Sequence, residues 1–335
     1  LVIEGMMMNK RIFVLYTGGT IGMCQSEQGL RPDTALVSEA LTPFAHQFDF
    51  DWWVCEPLID SSAVTLANWQ DWLAIVVEKL PDYDGILILH GTDTLAYTAN
   101  MLALALQGVN KPVVLTGSQL PYNAVNSDAP LNLATAVASL AWEDWAAVAI
   151  AFHGQLFPAV GSSKVSTETA EGFANWHFGA WARWSAEQGW HHKRALPAAT
   201  NAEWCVQTWN PQAQVACFYL IPSLPMAYLA QQIRTCTTPT MILQTYGHGN
   251  APSEAVWVDA IRAYIERGGL VLNISQVAQG CAAAVYAQGD ALRTAGVING
   301  GKCNIETANA LLTFACGRAD AAAYVQNQLK QWNLL

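Results

Sequence analysis

The sequence is poor in charge, and in basic charge above all. Of its 335 residues 13% are charged, and 16 Lys and Arg face 26 Asp and Glu, for a formal net charge of −10. Binding to nucleic acid or to an anionic membrane surface needs clustered Lys and Arg, so this balance argues against both partners. Hydrophobic residues reach 52%, which favours apolar surface buried between subunits. We therefore expect a homo-oligomer that acts on a small molecule.

Long apolar runs and metal-ligand spacings are also missing. No apolar run comes near the roughly 18 residues of a membrane helix, and the run at 12–16 is too short for a secretory signal and has no cleavage motif after it. The sequence thus predicts a cytoplasmic protein. It has eight cysteines but no Cys-x-x-Cys and no His pair at ligand spacing. We expect no zinc site, and reduced, mostly buried thiols.

A turn of glycine and threonine follows the first predicted strand. Residues 12–16 are apolar without polar alternation, as in a parallel strand covered on both faces. The next residues are Thr17-Gly18-Gly19-Thr20-Ile21-Gly22, whose glycines permit positive φ and close approach to a ligand. The spacing is not that of a dinucleotide site, and no Gly-Lys-Ser/Thr follows. A plain strand-to-loop turn explains it about as well as a ligand site with a threonine nucleophile.

Strands and helices alternate along most of the chain. Short links join them from residue 12 to 152, which implies a parallel sheet with helices on both faces, and a second, smaller series begins at 215. The predicted fold class is α/β, with a larger N-terminal domain, whose parallel-rich sheet is flanked by helices, and a smaller α/β C-terminal domain. We assign 9–190 to the first domain, 191–212 to a linker and 213–335 to the second. Aromatic residues crowd 173–190 with one basic residue among them, which favours cover for a core or a subunit interface.

Polar side chains follow several predicted strands. Because ligands bind at the carboxyl ends of parallel strands, these residues are expected to converge. They are Asp60-Ser61-Ser62, Thr92-Asp93-Thr94 and Ser118, while 127–130 indicates a helix cap. Turn formation explains the first group equally well, and a cap explains one residue of the second.

A threonine nucleophile needs a base, oxyanion donors and a hold on the substrate. Thr20 or Thr92 would attack, and Asp93 would orient a base. Backbone N–H groups at the glycine turn and at the helix start would bind the oxyanion. A lysine can act as the base, and Lys164 is a candidate, although its sequence context alone favours an exposed loop residue.

Two segments together resemble the signatures of bacterial-type L-asparaginases, in the same order and spacing. They are Tyr16-Thr17-Gly18-Gly19-Thr20-Ile21-Gly22-Met23 and Leu89-His90-Gly91-Thr92-Asp93-Thr94-Leu95-Ala96-Tyr97-Thr98-Ala99. The resemblance extends to Asp60-Ser61-Ser62, Thr116-Gly117-Ser118-Gln119-Leu120-Pro121, Ser163-Lys164 and Tyr246-Gly247-His248-Gly249-Asn250-Ala251-Pro252. It covers the chain from residue 10 onward and is strongest toward the cytoplasmic type I branch.

The resemblance implies an amidohydrolase that converts L-asparagine to L-aspartate and ammonia through a threonine acyl-enzyme. Thr20 would be the nucleophile, and a buried group of Thr92, Asp93 and Lys164 would handle the proton and support attack by water. The substrate's α-carboxylate and α-amino groups would be held by Asp60, Ser61, Ser62 and Asp93, and its amide would be lined by Ser118. The family uses no metal or cofactor. It forms a dimer of dimers in which a neighbour's C-terminal domain helps to finish each site.

One position departs from the family pattern. Where the mobile loop of the family carries a tyrosine near the nucleophile, this chain has Leu30 after Glu27-Gln28-Gly29. Leucine cannot donate a hydrogen bond or relay a proton, so turnover should be reduced unless another hydroxyl substitutes. Two alternatives remain open: an amidohydrolase that prefers glutamine, and a non-catalytic sensor of asparagine or aspartate.

Overall fold

The computed structural model describes residues 9–26, 29–199, 204–283 and 287–335, without the side chains of 25, 26, 29, 30 and 287–290. The chain forms two compact units, Leu1–Gln207 and Thr208–Leu335. The division falls inside the segment 191–212, whose assignment as a linker stays a prediction.

The first unit is built on an eight-stranded sheet. In chain order its described strands are β1 (Lys10–Tyr16), β2 (Met23–Ser26), β3 (Gly29–Pro32), β4 (Phe48–Val54), β5 (Gly85–Leu89), β6 (Val113–Thr116), β7 (Val148–Phe152), β8 (Gln155–Pro158), β9 (Ser162–Lys164), β10 (Phe173–Asn175), β11 (Ala182–Ser185) and β12 (Gly189–His191). The sheet order is β12-β11-β8-β7-β6-β5-β1-β4. Five neighbouring strands of this sheet, β7, β6, β5, β1 and β4, pair in parallel. The strands β8, β11 and β12 add antiparallel pairs on the β7 side.

Four α-helices lie in the described part of this unit. They are α1 (Thr34–Leu41), α2 (Leu66–Lys79), α3 (Leu95–Ala105) and α4 (Ala129–Leu140). Every residue of β5 and β7 is buried, which explains why these strands carry continuous apolar runs. Each of these buried apolar runs stops where its strand ends, and the polar turns that follow lie at the sheet's carboxyl edge.

The second unit has a four-stranded parallel sheet, β13-β14-β15-β16. Its described elements are β13 (Val215–Tyr219), α5 (Met226–Thr235), β14 (Thr240–Thr245), α6 (Ala255–Glu266), β15 (Leu270–Ser275), α7 (Ala287–Thr294), β16 (Ile298–Asn299), α8 (Ile305–Ala315) and α9 (Ala321–Gln331). A separate apolar core around Leu243, Trp257 and Ile261 supports this sheet. The predicted α/β class, with a larger parallel-rich domain and a smaller second one, is confirmed.

Several details differ from the sequence predictions. The second strand was expected at 52–56, but it is β4, which begins at Phe48. It is an edge strand in which Phe48, Phe50 and Trp52 face the core and alternate with other residues, so it has no continuous apolar run at its start. The aromatic stretch 173–190 contains three short strands that were not predicted, and Trp181 and Trp190 pack on the core while Trp176 is exposed. The thiols are free, but the expectation that most are buried is wrong, since Cys55, Cys303 and Cys316 alone are.

Two broader searches cover the described residues. Within them no helix combines the length and the apolar character that crossing a membrane requires. No cluster of three or more His, Cys, Asp or Glu side chains with the geometry of a metal site occurs in the same part of the chain.

Candidate active site

The glycine turn after β1 presents one free hydroxyl rather than two. Thr17 donates to the carbonyl oxygen of Leu89 twice, from its backbone N–H at 2.9 Å and from Oγ1 at 3.0 Å. That hydroxyl therefore ties the end of β1 to the end of β5. Thr20 starts a short 3₁₀ turn, is half-buried, and has no hydrogen-bond partner for its hydroxyl among the described residues. Of the two candidates in this turn, Thr20 is the one available for chemistry.

Glycine backbones bring the turns after β1 and β5 together. Gly19 has φ +103°, and a methyl group added to it would lie 2.6 Å from both Cα and N of Gly91. A methyl group added to Gly91 would lie 2.5 Å from Oγ of Ser61. A side chain at either glycine would push these turns apart. The missing Cβ atoms therefore place the turn of Thr20 against the segment that leads to Thr92.

Lys164 joins the two polar residues that follow β5. Its Nζ donates to Oγ1 of Thr92 and to Oδ1 of Asp93, both at 2.8 Å. The lysine side chain is 17% exposed and Thr92 is buried, but the Asp93 side chain is 60% exposed. The group expected to be buried is thus open to solvent at its carboxylate in the single chain. An ion pair this exposed adds little to stability, so its main consequence is to hold a lysine beside a threonine hydroxyl.

The segment Asp60-Ser61-Ser62 lies beside the start of α3. Ser61 is buried and Asp60 is exposed, with its Oδ1 accepting the N–H of Ser62 at 2.9 Å. Thr94 occupies the N-cap position of α3 but makes no side-chain cap bond there. Its hydroxyl instead donates to the carbonyl oxygen of Ser61 at 2.7 Å. Helix capping therefore accounts for none of the polar side chains of residues 92–94.

Ser118 is buried at the end of the next strand, β6. Its hydroxyl donates to the carbonyl oxygen of Leu120, and its only hydrogen bonds to described residues are local to this loop. The neighbouring residue Gly117 packs directly on the backbone of His90, where a methyl group would overlap the carbonyl oxygen. Ser118 thus lies at the same sheet edge as Thr92, without a direct bond to it.

A buried carboxylate holds the Ser118 loop in place. Asp128 accepts the N–H groups of Gln119 at 2.9 Å and of Leu120 at 3.0 Å. It also accepts the side-chain amide of Asn132 at 2.9 Å. The helix expected after 127–130 does begin there, with Asp128 at its N-cap position, but the Asp128 side chain makes no cap bond. An Asp and an Asn four residues apart on one helix face was the available signal, since such a pair interacts on a helix.

His90 was part of the sequence motif, but no role was assigned to it. Its ring is fully buried, with Nδ1 2.7 Å from the carbonyl oxygen of Gly91 and Nε2 2.9 Å from Oγ1 of Thr98. The indole N–H of Trp69 donates to the same Oγ1 at 2.8 Å. Burial lowers the pKa of His90 to about 4 from its usual 6.5, because desolvation disfavours the charged imidazolium. The ring is therefore neutral near neutral pH.

Comparison with known families agrees with this geometry. A family model described as "Asparaginase, N-terminal" matches residues 11–196, and one described as "Glutaminase/Asparaginase C-terminal domain" matches residues 214–329. The chain belongs to the asparaginase family. The predicted family is thereby confirmed.

Individual relatives span nearly the whole of this asparaginase family member. L-asparaginase 1 of Escherichia coli is 34% identical, over 90% of this chain and 90% of that protein. The crystal structure of L-asparaginase I from Vibrio cholerae superposes with a TM-score of 0.85 at 29% identity, covering 97% of this chain and 98% of that one. The 60 kDa lysophospholipase of Mus musculus is 29% identical, over 92% of this chain and 59% of that protein.

The structure brings some of the predicted site residues into contact and leaves others without a direct contact. It joins Thr92, Asp93 and Lys164 by hydrogen bonds and brings the Thr20 turn against Gly91. It ties the Asp60-Ser61-Ser62 segment to α3 and leaves Ser118 linked only through its loop. Leu30, the position that departs from the family pattern, has its backbone on β3, paired with Gln25, and its side chain lies outside what is described. The catalytic roles stay predictions.

Proposed function

We propose that this chain is an L-asparaginase, which hydrolyses the side-chain amide of L-asparagine to L-aspartate and ammonia. The observation that carries the proposal is the position of Lys164, whose Nζ lies 2.8 Å from both Thr92 Oγ1 and Asp93 Oδ1. A lysine, a hydroxyl and a carboxylate in this contact are suited to moving a proton to or from a reacting group. Likeness to the E. coli enzyme named L-asparaginase 1 supports the choice of substrate.

The first chemical step is attack by Thr20. Its hydroxyl oxygen forms a bond to the amide carbon, and the hydroxyl proton passes through the Thr92 hydroxyl to Lys164, which accepts it as a neutral amine. The carbonyl oxygen becomes an oxyanion, which backbone N–H groups at the glycine turn and at the approach to α3 stabilise. Cleavage of the carbon–nitrogen bond, with a proton returned to nitrogen, releases ammonia and leaves an aspartyl ester on Thr20.

The second step is attack by water on this ester. Lys164 is 17% exposed, so water reaches the contact between its side-chain nitrogen, a neutral amine once ammonia has left, and Thr92. Transfer of a proton from water to this pair and back to Thr20 frees L-aspartate and restores the threonine hydroxyl. Each cycle consumes one water molecule and releases one ammonia molecule.

The two charged groups of the substrate are bound by different residues of the site. Asp60 and Asp93 are open to solvent, and a carboxylate attracts an α-ammonium group. The α-carboxylate is bound by Ser61 and Ser62. Ser118 lines the amide.

The organisation around the site follows the family. We assign 9–190 to an N-terminal domain, 191–212 to a linker and 213–335 to a C-terminal domain, near the limits of the two family models. The enzyme is a homo-oligomer, a dimer of dimers, in which the C-terminal domain of a neighbouring chain completes each site. All eight cysteines are free, in keeping with a cytoplasmic location.

Ammonia release by the purified protein tests the proposal. With L-asparagine and L-glutamine offered separately, we expect kcat/KM to be higher for asparagine. A matched control is Asp144→Asn, which removes an exposed carboxylate from the loop that precedes β7 and should leave the rate unchanged.

Other outcomes select other functions. A higher kcat/KM for glutamine would identify a glutamine-preferring amidohydrolase. A melting temperature raised by aspartate without any ammonia release would identify a sensor, because a ligand that binds the folded state stabilises it. Fatty acid released from a lysophospholipid, with no ammonia from either amide, would contradict the proposal as well.

A further inference from the structure

The imidazole of His90 is held by a chain of hydrogen bonds whose direction can be worked out. The carbonyl oxygen of Gly91 can only accept, so Nδ1 of His90 carries the hydrogen and donates to it. In the neutral ring Nε2 is then the acceptor, and the Thr98 hydroxyl donates to it. The indole N–H of Trp69 donates to a lone pair on the same Thr98 oxygen. The Gly91 carbonyl thus fixes the tautomer of His90, and Thr98 and Trp69 complete the chain.

This tautomer fixes the orientation of one peptide group. In a trans peptide the C=O of one residue and the N–H of the next point in opposite directions. Because the Gly91 carbonyl points at the buried imidazole, the N–H of Thr92 points away from it. That N–H has no acceptor among the described residues. A donor with a fixed direction and no protein acceptor is therefore held at the residue that also contacts Lys164.

Contacts on both sides keep this peptide from shifting. Gly19 packs on N and Cα of Gly91, where its added methyl group would lie at 2.6 Å. Gly117 packs on the carbonyl of His90 in the same way. The ring itself packs edge-on against buried Trp72, with the ring centroids 5.3 Å apart. Rotation of the Gly91–Thr92 peptide would require the bond from Nδ1 to break.

We propose that His90 is a positioning residue: through its Nδ1–H bond to Gly91 it aims the Thr92 N–H at the oxyanion that forms on the substrate amide. This role rests on the proposed asparaginase function. The donor is oriented before the reaction begins, which is what makes such a group effective in a transition state. His90 touches neither the substrate nor the reacting atoms, and it carries no proton in the reaction.

Two pairs of variants test the proposal by steady-state ammonia release from L-asparagine. The amide of His90→Asn stands near the position of Nδ1 and can still donate to Gly91, whereas the amide of His90→Gln stands near Nε2 and cannot. We expect His90→Gln to lower kcat by about 10²-fold, the cost of losing one oxyanion donor, with KM within about threefold. His90→Asn should restore at least about a tenth of the wild-type kcat.

The second pair leaves the imidazole in place. Thr98→Val removes the hydroxyl that donates to Nε2 and holds the ring in place, and Thr98→Ser keeps it, so we expect the valine variant to lose about tenfold more kcat than the serine variant. This pair decides the question if the His90 variants do not fold, which circular dichroism will reveal. Loss of substrate binding would appear in KM instead.

Each result bears on a definite claim. Wild-type kcat in His90→Gln, equal losses in His90→Gln and His90→Asn, or equal kcat in Thr98→Val and Thr98→Ser would overturn the positioning role while leaving the asparaginase function standing. Wild-type protein that releases no ammonia from asparagine would overturn the proposed function, and this role with it.

Discussion

The ammonium nitrogen of Lys164 lies 2.8 Å from the hydroxyl oxygen of Thr92, although 72 residues separate them in the chain. Replacing the lysine by methionine keeps most of the apolar stem and removes the charge. We expect Lys164→Met to lower kcat/KM by about 10²- to 10⁴-fold, as loss of a general acid–base group does. Lys193→Met is the control, because that lysine stacks on Trp142 in another part of the unit. Equal activity in the two variants would contradict a role for Lys164.

Gly19 should not tolerate a side chain. Gly19→Ala combines a φ of +103° with a methyl group 2.6 Å from the backbone of Gly91, so we expect a loss of more than about 2 kcal/mol in the free energy of unfolding. Gly189→Ala is the matched control, with φ +64° and no heavy atom within 4 Å, and should lose about 1 kcal/mol. Urea unfolding of both variants measures the difference. Similar losses would mean that the packing of Gly19 on Gly91 matters little.

The loop position 30 can be tested by adding back the hydroxyl that the family has. If a tyrosine hydroxyl helps to activate Thr20, Leu30→Tyr should raise kcat for asparagine by up to about 10²-fold. Leu30→Phe supplies the ring without the hydroxyl, and its kcat should stay near that of the wild type. A similar gain in both variants would assign the effect to the ring rather than to proton transfer.

The buried His90 should make the fold sensitive to acid. Its pKa is about 4 in the folded chain, whereas an ordinary histidine has a pKa of 6.5, so between these values the unfolded chain binds the extra proton and the folded chain does not. The free energy of unfolding contributed by this group is complete above the unfolded pKa and falls as the pH is lowered toward the folded pKa, by about 3 kcal/mol in total.

Urea unfolding at neutral pH and at about pH 4.5 measures this loss. Other groups also titrate in this range, so the quantity to compare is the loss in wild type minus the loss in His90→Asn, which should be positive. His46→Asn, which removes an exposed histidine, should keep the wild-type loss. The same acid sensitivity in His90→Asn and in wild type would contradict the burial of a neutral imidazole.

Local patterns in the sequence predicted the frame of the site well. The continuous apolar runs of β1 and β5 mark strands buried on both faces, and the polar turns after them fall at the carboxyl edge. The start of the edge strand β4 was missed because its Phe and Asp residues alternate, as in a strand covered on one face, whereas the prediction relied on continuous apolar runs. The short antiparallel strands from β8 to β12 depend on pairing between distant residues, which composition does not reveal.

The side-chain contacts of the site were less accessible to sequence reasoning. The sequence neighbours of Lys164 predicted an exposed loop residue. In the structure it lies on β9, which pairs with β10, and its side chain contacts Thr92. Asp128 appeared to be a helix cap, because its bonds to Gln119 and Leu120 close a loop that the local pattern does not fix. These contacts join separate turns, whereas a sequence pattern describes one element at a time.

The most direct test of the account is the rate of ammonia release from L-asparagine by Thr20→Ala, measured beside wild type and Thr20→Ser. Wild type should hydrolyse asparagine, Thr20→Ala should lose more than about 10³-fold in kcat, and Thr20→Ser should keep part of the rate because it retains a hydroxyl. A Thr20→Ala variant that releases ammonia at close to the wild-type rate would contradict the assignment of Thr20 as the nucleophile, and with it the acyl-enzyme mechanism.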